Sequence, residues 1–172
     1  MKVDIAQLNP VVGDIKGNQK KIMNTLSQSS HAGSDLVIFP ELFLVGYPPK
    51  DLLERPWFIE KTQHAIQELM QVSADYPKTG ILFGAPLLTG KDVGKGLYNS
   101  AVLIYQGRII ADQHKSLLLT YDVFDEMRYF DPAPEINTAV FKGETLGISI
   151  CEDAWNEPEL WPKGKIYPFD PL

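Results

Sequence analysis

Cys151 is the only cysteine among 172 residues, and Glu152 and Asp153 follow it directly. The residues ahead of it, Leu146-Gly147-Ile148-Ser149-Ile150, form a short β-branched, apolar run. That pattern predicts a strand that delivers a thiol to a polar edge. A free thiol with a pKa near 8.5 is only about a few per cent ionised at neutral pH, so a carboxylate must take its proton or a cation must lower its pKa. Both kinds of partner stand at comparable places. Glu41 follows the apolar run Leu36-Val37-Ile38-Phe39 and Pro40, which cannot donate to a continuing ladder. Lys115 closes the run Arg108–His114. Strands side by side in one sheet would gather Glu41, Lys115 and Cys151 on one edge, where open α/β sheets place their ligands. In that arrangement Glu41 is the general base, Cys151 the nucleophile, and Lys115 holds the oxyanion of a tetrahedral intermediate together with the backbone N–H of Glu152. The competing reading makes Cys151 a small buried hydrophobe and the other two solvated charges.

The elements that must position these residues follow from periodicity. Val3, Ile5 and, less cleanly, Leu8 alternate as a strand closed by Asn9-Pro10. Asn18 is placed to cap a helix carrying Ile22, Met23 and Leu26 on one face, with Gly33 as its stop. Residues 42–55, broken by Gly46-Tyr47-Pro48-Pro49, read as a long surface loop. A second helix starts at Pro56, buries Phe58, Ile59, Thr62, Ile66, Leu69 and Met70, and ends by Tyr76-Pro77. Ile81-Leu82-Phe83 is a further strand that Gly84-Ala85-Pro86 breaks. Residues 98–105 and 108–114 pair across Gln106-Gly107, and 138–141 and 145–150 across Lys142-Gly143. About seven strands and two helices result. Between them, residues 120–130 mix tyrosine, arginine and carboxylates at a density suited to lining a polar ligand site.

Composition narrows the class. An apolar fraction of 44% and a charged fraction of 22% are those of one globular domain. The net charge of −6 offers no basic surface for nucleic acid. No apolar run approaches a membrane span, the N-terminus lacks a signal-type apolar core, and one cysteine cannot form an internal disulfide. The expectation is therefore a cytoplasmic protein, with no membrane and no nucleic acid among its partners. His31, His64 and His114 share no ligand-like spacing with one another or with Cys151, so no metal site is expected.

Phe39-Pro40-Glu41-Leu42 and Ile150-Cys151-Glu152-Asp153-Ala154-Trp155 resemble motifs of the nitrilase, or carbon–nitrogen hydrolase, superfamily. Gly46-Tyr47-Pro48-Pro49-Lys50-Asp51-Leu52-Leu53 and Tyr121-Asp122-Val123-Phe124-Asp125-Glu126-Met127-Arg128-Tyr129-Phe130 are similar to one branch, the glutamine-hydrolysing domains of glutamine-dependent NAD synthetases. Gln7-Leu8-Asn9-Pro10 and Val12-Gly13-Asp14 fit the opening of that family. The resemblance implies an α/β (α+β) fold, a four-layer α-β-β-α sandwich. It assigns Cys151, Glu41 and Lys115 the same three roles and adds Tyr121 and Glu126 as substrate contacts. Leu118-Leu119-Thr120 departs from the branch, which carries a proline there.

Members of the branch carry a longer glutaminase domain and then an ATP-using synthetase. Residues 1–172 are therefore expected to be a C-terminally incomplete glutaminase domain without the synthetase domain. The resemblance further implies glutamine as substrate and no cofactor for its hydrolysis. ATP, Mg and deamido-NAD would belong to the synthetase. Hydrolysis of another small amide, and a catalytically inert scaffold, stand as the alternatives. A sandwich cut short leaves apolar sheet surface and strand edges open, so homo-oligomerisation is expected.

Overall fold

The computed structural model of the protein describes residues 1–155. Five strands, β1 (Val3–Ile5), β2 (Leu36–Ile38), β3 (Gly80–Leu88), β4 (Leu97–Tyr105) and β5 (Arg108–His114), form one sheet in that order. β1, β2 and β3 run parallel, and β4 and β5 each reverse their neighbour. β2, β3 and β5 therefore share a direction and end on the same edge. The parallel connections are made by α1 (Ile15–His31) and α2 (Pro56–Ser73).

Both helices lie on one face. Ile22 and Leu26 of α1 and Phe58, Ile66 and Leu69 of α2 are buried in one core with Val37, Ile81, Phe83, Val102 and Ile104 of the sheet. The opposite face carries a hairpin of β6 (Thr138–Phe141) and β7 (Glu144–Gly147), a separate two-stranded sheet. Its Ala139 and Phe141 pack on Leu36 and Leu103, and the Phe141 ring meets Tyr105 edge-on at 5.1 Å. A side chain at Gly80 would come within 2.9 Å of the Phe141 ring, so glycine permits this approach. Helices, sheet and second sheet supply three layers of the expected sandwich among the described residues. Both short hairpin turns place two residues in the left-handed region, Gln106 and Gly107 at φ 51° and 78°, and Lys142 and Gly143 at 50° and 83°.

Four expectations need correction. Asp14, not Asn18, caps α1, accepting from the Gly17 N–H at 2.9 Å. Asn18 is buried inside the helix, where it bonds both backbone groups of Val11 and the Leu44 carbonyl. Pro86 does not break β3. Residues 80, 82 and 84 direct their backbone groups toward β2 and the loop after it, and Pro86, in the same phase, falls beyond that partner's reach. Residues 42–55 are not a surface loop: Leu42, Phe43, Leu44 and Val45 are completely buried, and Lys50–Glu54 form a 3-10 turn. Ile5 of β1 is 81% exposed, because β1 lies at the sheet edge and the hairpin does not reach it. Finally, β7 stops at Gly147, and Cys151 opens the 3-10 turn Cys151–Trp155. The three reactive residues thus do not end adjacent strands of one sheet. Two come from the five-stranded sheet and the third is carried in by the segment after the hairpin.

Candidate active site

Glu41 sits one residue past Pro40, at the end of β2, where the chain turns sharply into the buried Leu42–Val45 stretch. Its backbone lies directly on Gly84 of β3: a Cβ there would stand 2.0 Å from the Leu42 nitrogen and 2.8 Å from the Glu41 Cα. Lys115 follows β5 and is completely buried, its N–H bonded to the carbonyl of Asn99 on β4 at 2.8 Å. Its ammonium donates to Glu41 Oε1 at 2.7 Å and to Glu126 Oε1 at 3.0 Å, and it lies 2.7 Å from Glu126 Oε2 as an ion pair. Burial alone would depress Lys115, but Glu41 and Glu126 outweigh it and hold the ammonium above the ordinary lysine range.

Glu126 opens a one-turn helix, α3 (Glu126–Tyr129), and is 4% exposed. Burial raises its carboxyl above the ordinary range, although Lys115 pulls the other way. The geometry serves the ionised form, since the carboxylate accepts from Lys115, the Leu119 N–H and the Tyr47 hydroxyl. Tyr47 in turn has its phenol pushed well up by burial, then by Glu126 and Glu41.

Cys151 has its backbone in the left-handed region, at φ 48°, one of six non-glycine residues there among the described residues. Non-glycine residues in this region are uncommon and cluster at functional sites, where surrounding structure must enforce them. The enforcement here comes from Asp153. Its carboxylate accepts from the N–H groups of Ser116 and Leu117 at 3.0 and 2.9 Å and from that of Ile150 at 3.1 Å. One buried side chain therefore ties the cysteine turn to the segment just beyond Lys115.

Cys151 is exposed at its rim. Enough protein surrounds the sulfur for desolvation to push the thiol up, with Glu41 adding to this, Lys115 opposing it, and Glu126 and Glu152 contributing. A preformed thiolate is thus disfavoured, and a base is required. Glu41 and Cys151 line the same cavity of about 120 Å³, with Gly84, Ser100 and the 148–150 backbone around them. This is below the roughly 300 Å³ at which pockets for whole drug-sized ligands begin, and it suits the reacting end of a small molecule.

The structure brings Glu41, Lys115 and Cys151 together. Glu152 is buried beside the cysteine, and its carboxylate accepts from the Tyr121 hydroxyl, 3.1 Å from each oxygen. Tyr121 is 44% exposed. Glu126 is placed on Lys115, and it also lines a larger cavity of about 290 Å³ with Tyr47, Pro48, Asp51, Phe124 and Arg128. Sequence reasoning overlooked Asn99 and Asp153. Asn99, 1% exposed, donates from Nδ2 to Glu41 Oε1 at 2.7 Å. Its signal was available: an amide inside a continuous apolar strand needs a buried partner. Asp153 had no such signal, because two of its three backbone partners, Ser116 and Leu117, lie over thirty residues away. Among the described residues, no group of three or more His, Cys, Asp or Glu side chains is placed to hold a metal ion. No helix among them is long and apolar enough to cross a membrane.

The sequence profile of the carbon–nitrogen hydrolase family matches residues 2–161. A glutamine-dependent NAD(+) synthetase from Synechocystis is 44% identical over 173 residues, covering 99% of this chain and 30% of that protein. The enzyme of the same description from Thermotoga maritima is 39% identical over 92% of this chain and 27% of its own length. The chain thus spans less than a third of these relatives. Among solved structures, a glutamine-dependent NAD+ synthetase from Acinetobacter baumannii superposes with a TM-score of 0.77 at 33% identity, over 89% of this chain and 28% of that one. An amidase from Nesterenkonia sp. superposes with a TM-score of 0.77 at 22% identity, over 93% and 58%, a likeness of fold.

Proposed function

The chain belongs to the carbon–nitrogen hydrolase family, and from that premise we propose that its site hydrolyses the side-chain amide of glutamine through a thioester on Cys151. The observation that carries this reading is the shared cavity of Glu41 and Cys151, with the buried Lys115 bonded to that same glutamate. The Cys151 sulfur attacks the amide carbon while Glu41 takes the thiol proton. The tetrahedral oxyanion is stabilised by the Lys115 ammonium and the Glu152 N–H. Glu41 then returns the proton to nitrogen, the C–N bond breaks, and ammonia leaves a thioester. Water attacks the thioester with Glu41 again as base, releasing glutamate and restoring the thiol. Tyr121 and Glu126 bound the substrate side, Tyr121 at the rim and Glu126 from behind Lys115.

The described relatives of this length class suggest the destination of the ammonia. In the longer chains, named for glutamine-dependent NAD(+) synthesis, residues 1–172 correspond to the front part of a glutaminase domain. ATP, Mg and deamido-NAD are assigned to a synthetase domain beyond it, and the hydrolytic step itself uses no cofactor. A cytoplasmic setting and self-association belong to the same proposal. The test is glutamine hydrolysis against simple aliphatic amides, in the chain and its Cys151→Ala variant. Turnover that survives Cys151→Ala refutes the mechanism, and a preference for aliphatic amides refutes the substrate.

A further inference from the structure

Glu41 Oε1 receives two donors, Lys115 Nζ and Asn99 Nδ2, each at 2.7 Å. Among the described residues no donor is bonded to Oε2. Two hydrogen bonds converging on one oxygen fix the plane of a carboxylate, and they leave the second oxygen as the free acceptor. Lys115 has further anchors in Glu126, so its position does not depend on Glu41. The Asn99 side chain has none: among the described residues its buried Oδ1 meets no hydrogen-bond partner. Leaving a buried carbonyl oxygen unsatisfied is destabilising. An amide retained for stability alone would be expected to use both ends. Here only the end directed at Glu41 is used.

Asn99 is also fixed from its backbone. It pairs with Pro86 across β3 and β4, and its carbonyl accepts the Lys115 N–H at 2.8 Å. One strand residue therefore sets both members of the pair, Lys115 through the main chain and Glu41 through the side chain. Resting on the catalytic reading above, we propose that Asn99 is the positioning residue of Glu41, holding Oε1 so that Oε2 is the oxygen presented to the Cys151 thiol.

Because Cys151 is the sole cysteine, its alkylation by iodoacetamide across pH reports the site without requiring turnover. Glu41 is among the groups that push this thiol up, so Glu41→Gln is expected to move the alkylation midpoint down. Asn99→Ala removes the amide dipole that offsets the Glu41 charge and is expected to move it up, by roughly half a unit. Asn99→Asp, which keeps the volume, is expected to move it further in the same direction. In the Glu41→Gln background Asn99→Ala should have no additional effect, since the group it acts through is gone, whereas Asn99→Asp should keep the direct effect of its own charge. In glutamine hydrolysis, Asn99→Asp should lower kcat roughly 10- to 100-fold with KM unchanged.

Equal midpoint shifts of Asn99→Ala in both backgrounds, or no shift in either, would overturn the inference. If Asn99→Ala does not fold, Asn99→Ser, which also removes the amide without adding a charge, carries the same comparison. Turnover that survives Cys151→Ala removes the catalytic reading without touching the coupling measured by alkylation. A Cys151-dependent turnover that ignores Asn99 removes only the positioning role.

Discussion

Replacing Glu126 by glutamine should weaken the fold while making the cysteine more acidic, and the opposed signs make the test sharp. The cluster holds two carboxylates and one ammonium, Glu41, Glu126 and Lys115, with Lys115 completely buried and the Glu126 side chain 5% exposed. Glu126→Gln keeps the side-chain volume but removes one of the two charges that offset the desolvation of Lys115. Removing a partner from a buried pair costs roughly 3–5 kcal/mol, and because Glu41 remains, about 3 kcal/mol is expected. With a urea slope of about 2 kcal/mol per molar, that is a fall of about 1.5 M in the unfolding midpoint. The pH dependence has a definite sign. Lys115 is raised in the folded state, so its contribution is complete below the unfolded lysine value and is lost as pH rises through the folded one. In the variant this alkaline loss should begin at lower pH. Glu126 also helps push the Cys151 thiol up, so the alkylation midpoint should fall. A urea midpoint shifted by less than about 0.5 M, or a thiol midpoint that rises, would refute this account of the cluster.

Three further outcomes are expected. Gly84→Ala places a Cβ 2.0 Å from the Leu42 nitrogen; relief requires moving the Glu41 turn, so a thermal melt should show a loss of about 2–3 kcal/mol and glutamine hydrolysis should fall steeply. Asp153→Ala strips the acceptor from the N–H groups of Ser116, Leu117 and Ile150, and hydrogen exchange at these three amides should accelerate while α1 and α2 keep their protection. The carboxyl of Asp35 is held below the usual range, chiefly by its hydrogen bond with Lys142, so the tie between the β6–β7 hairpin and β2 is present above the unfolded aspartate value and is lost as pH falls through the folded one. NMR contacts between the Tyr105 and Phe141 rings should weaken on the same descent, and Lys142→Ala should abolish that pH dependence.

The parts of this protein visible in its sequence are those encoded by local chemistry. The helix over Phe58, Ile59 and Thr62, the two hairpins with left-handed pairs at Gln106-Gly107 and Lys142-Gly143, and the apolar run before Glu41 each follow from spacing or turn residues, and each is found. What misled was a fact about neighbours. Pro86 interrupts a strand only if something needs its N–H, and β2 ends too soon to need it. Leu42–Val45 look like loop because they are irregular, yet they are the most buried stretch near the site. The sequence places Asn18 one turn into the helix it was expected to cap, because Asp14 already occupies the cap.

The candidate site shows the same division with a consequence for mechanism. Glu41, Lys115 and Cys151 are legible as reactive types at the ends of apolar runs, but the geometry that makes them one site lies in residues whose partners are distant in sequence. The Asn99 side chain reaches Glu41 across 58 positions, and Asp153 reaches the segment after Lys115 across 36 and 37. Cys151 arrives from outside the five-stranded sheet, so its register with Glu41 is not set by strand pairing, as it is for Lys115 through Asn99. It is set by one carboxylate gripping three backbone amides. If that is the control point, the two halves of the site should separate energetically: substitutions at Asn99 should act through Glu41 with the cysteine turn intact, whereas Asp153→Ala should misplace Cys151 and leave the Lys115–Glu41 pair formed.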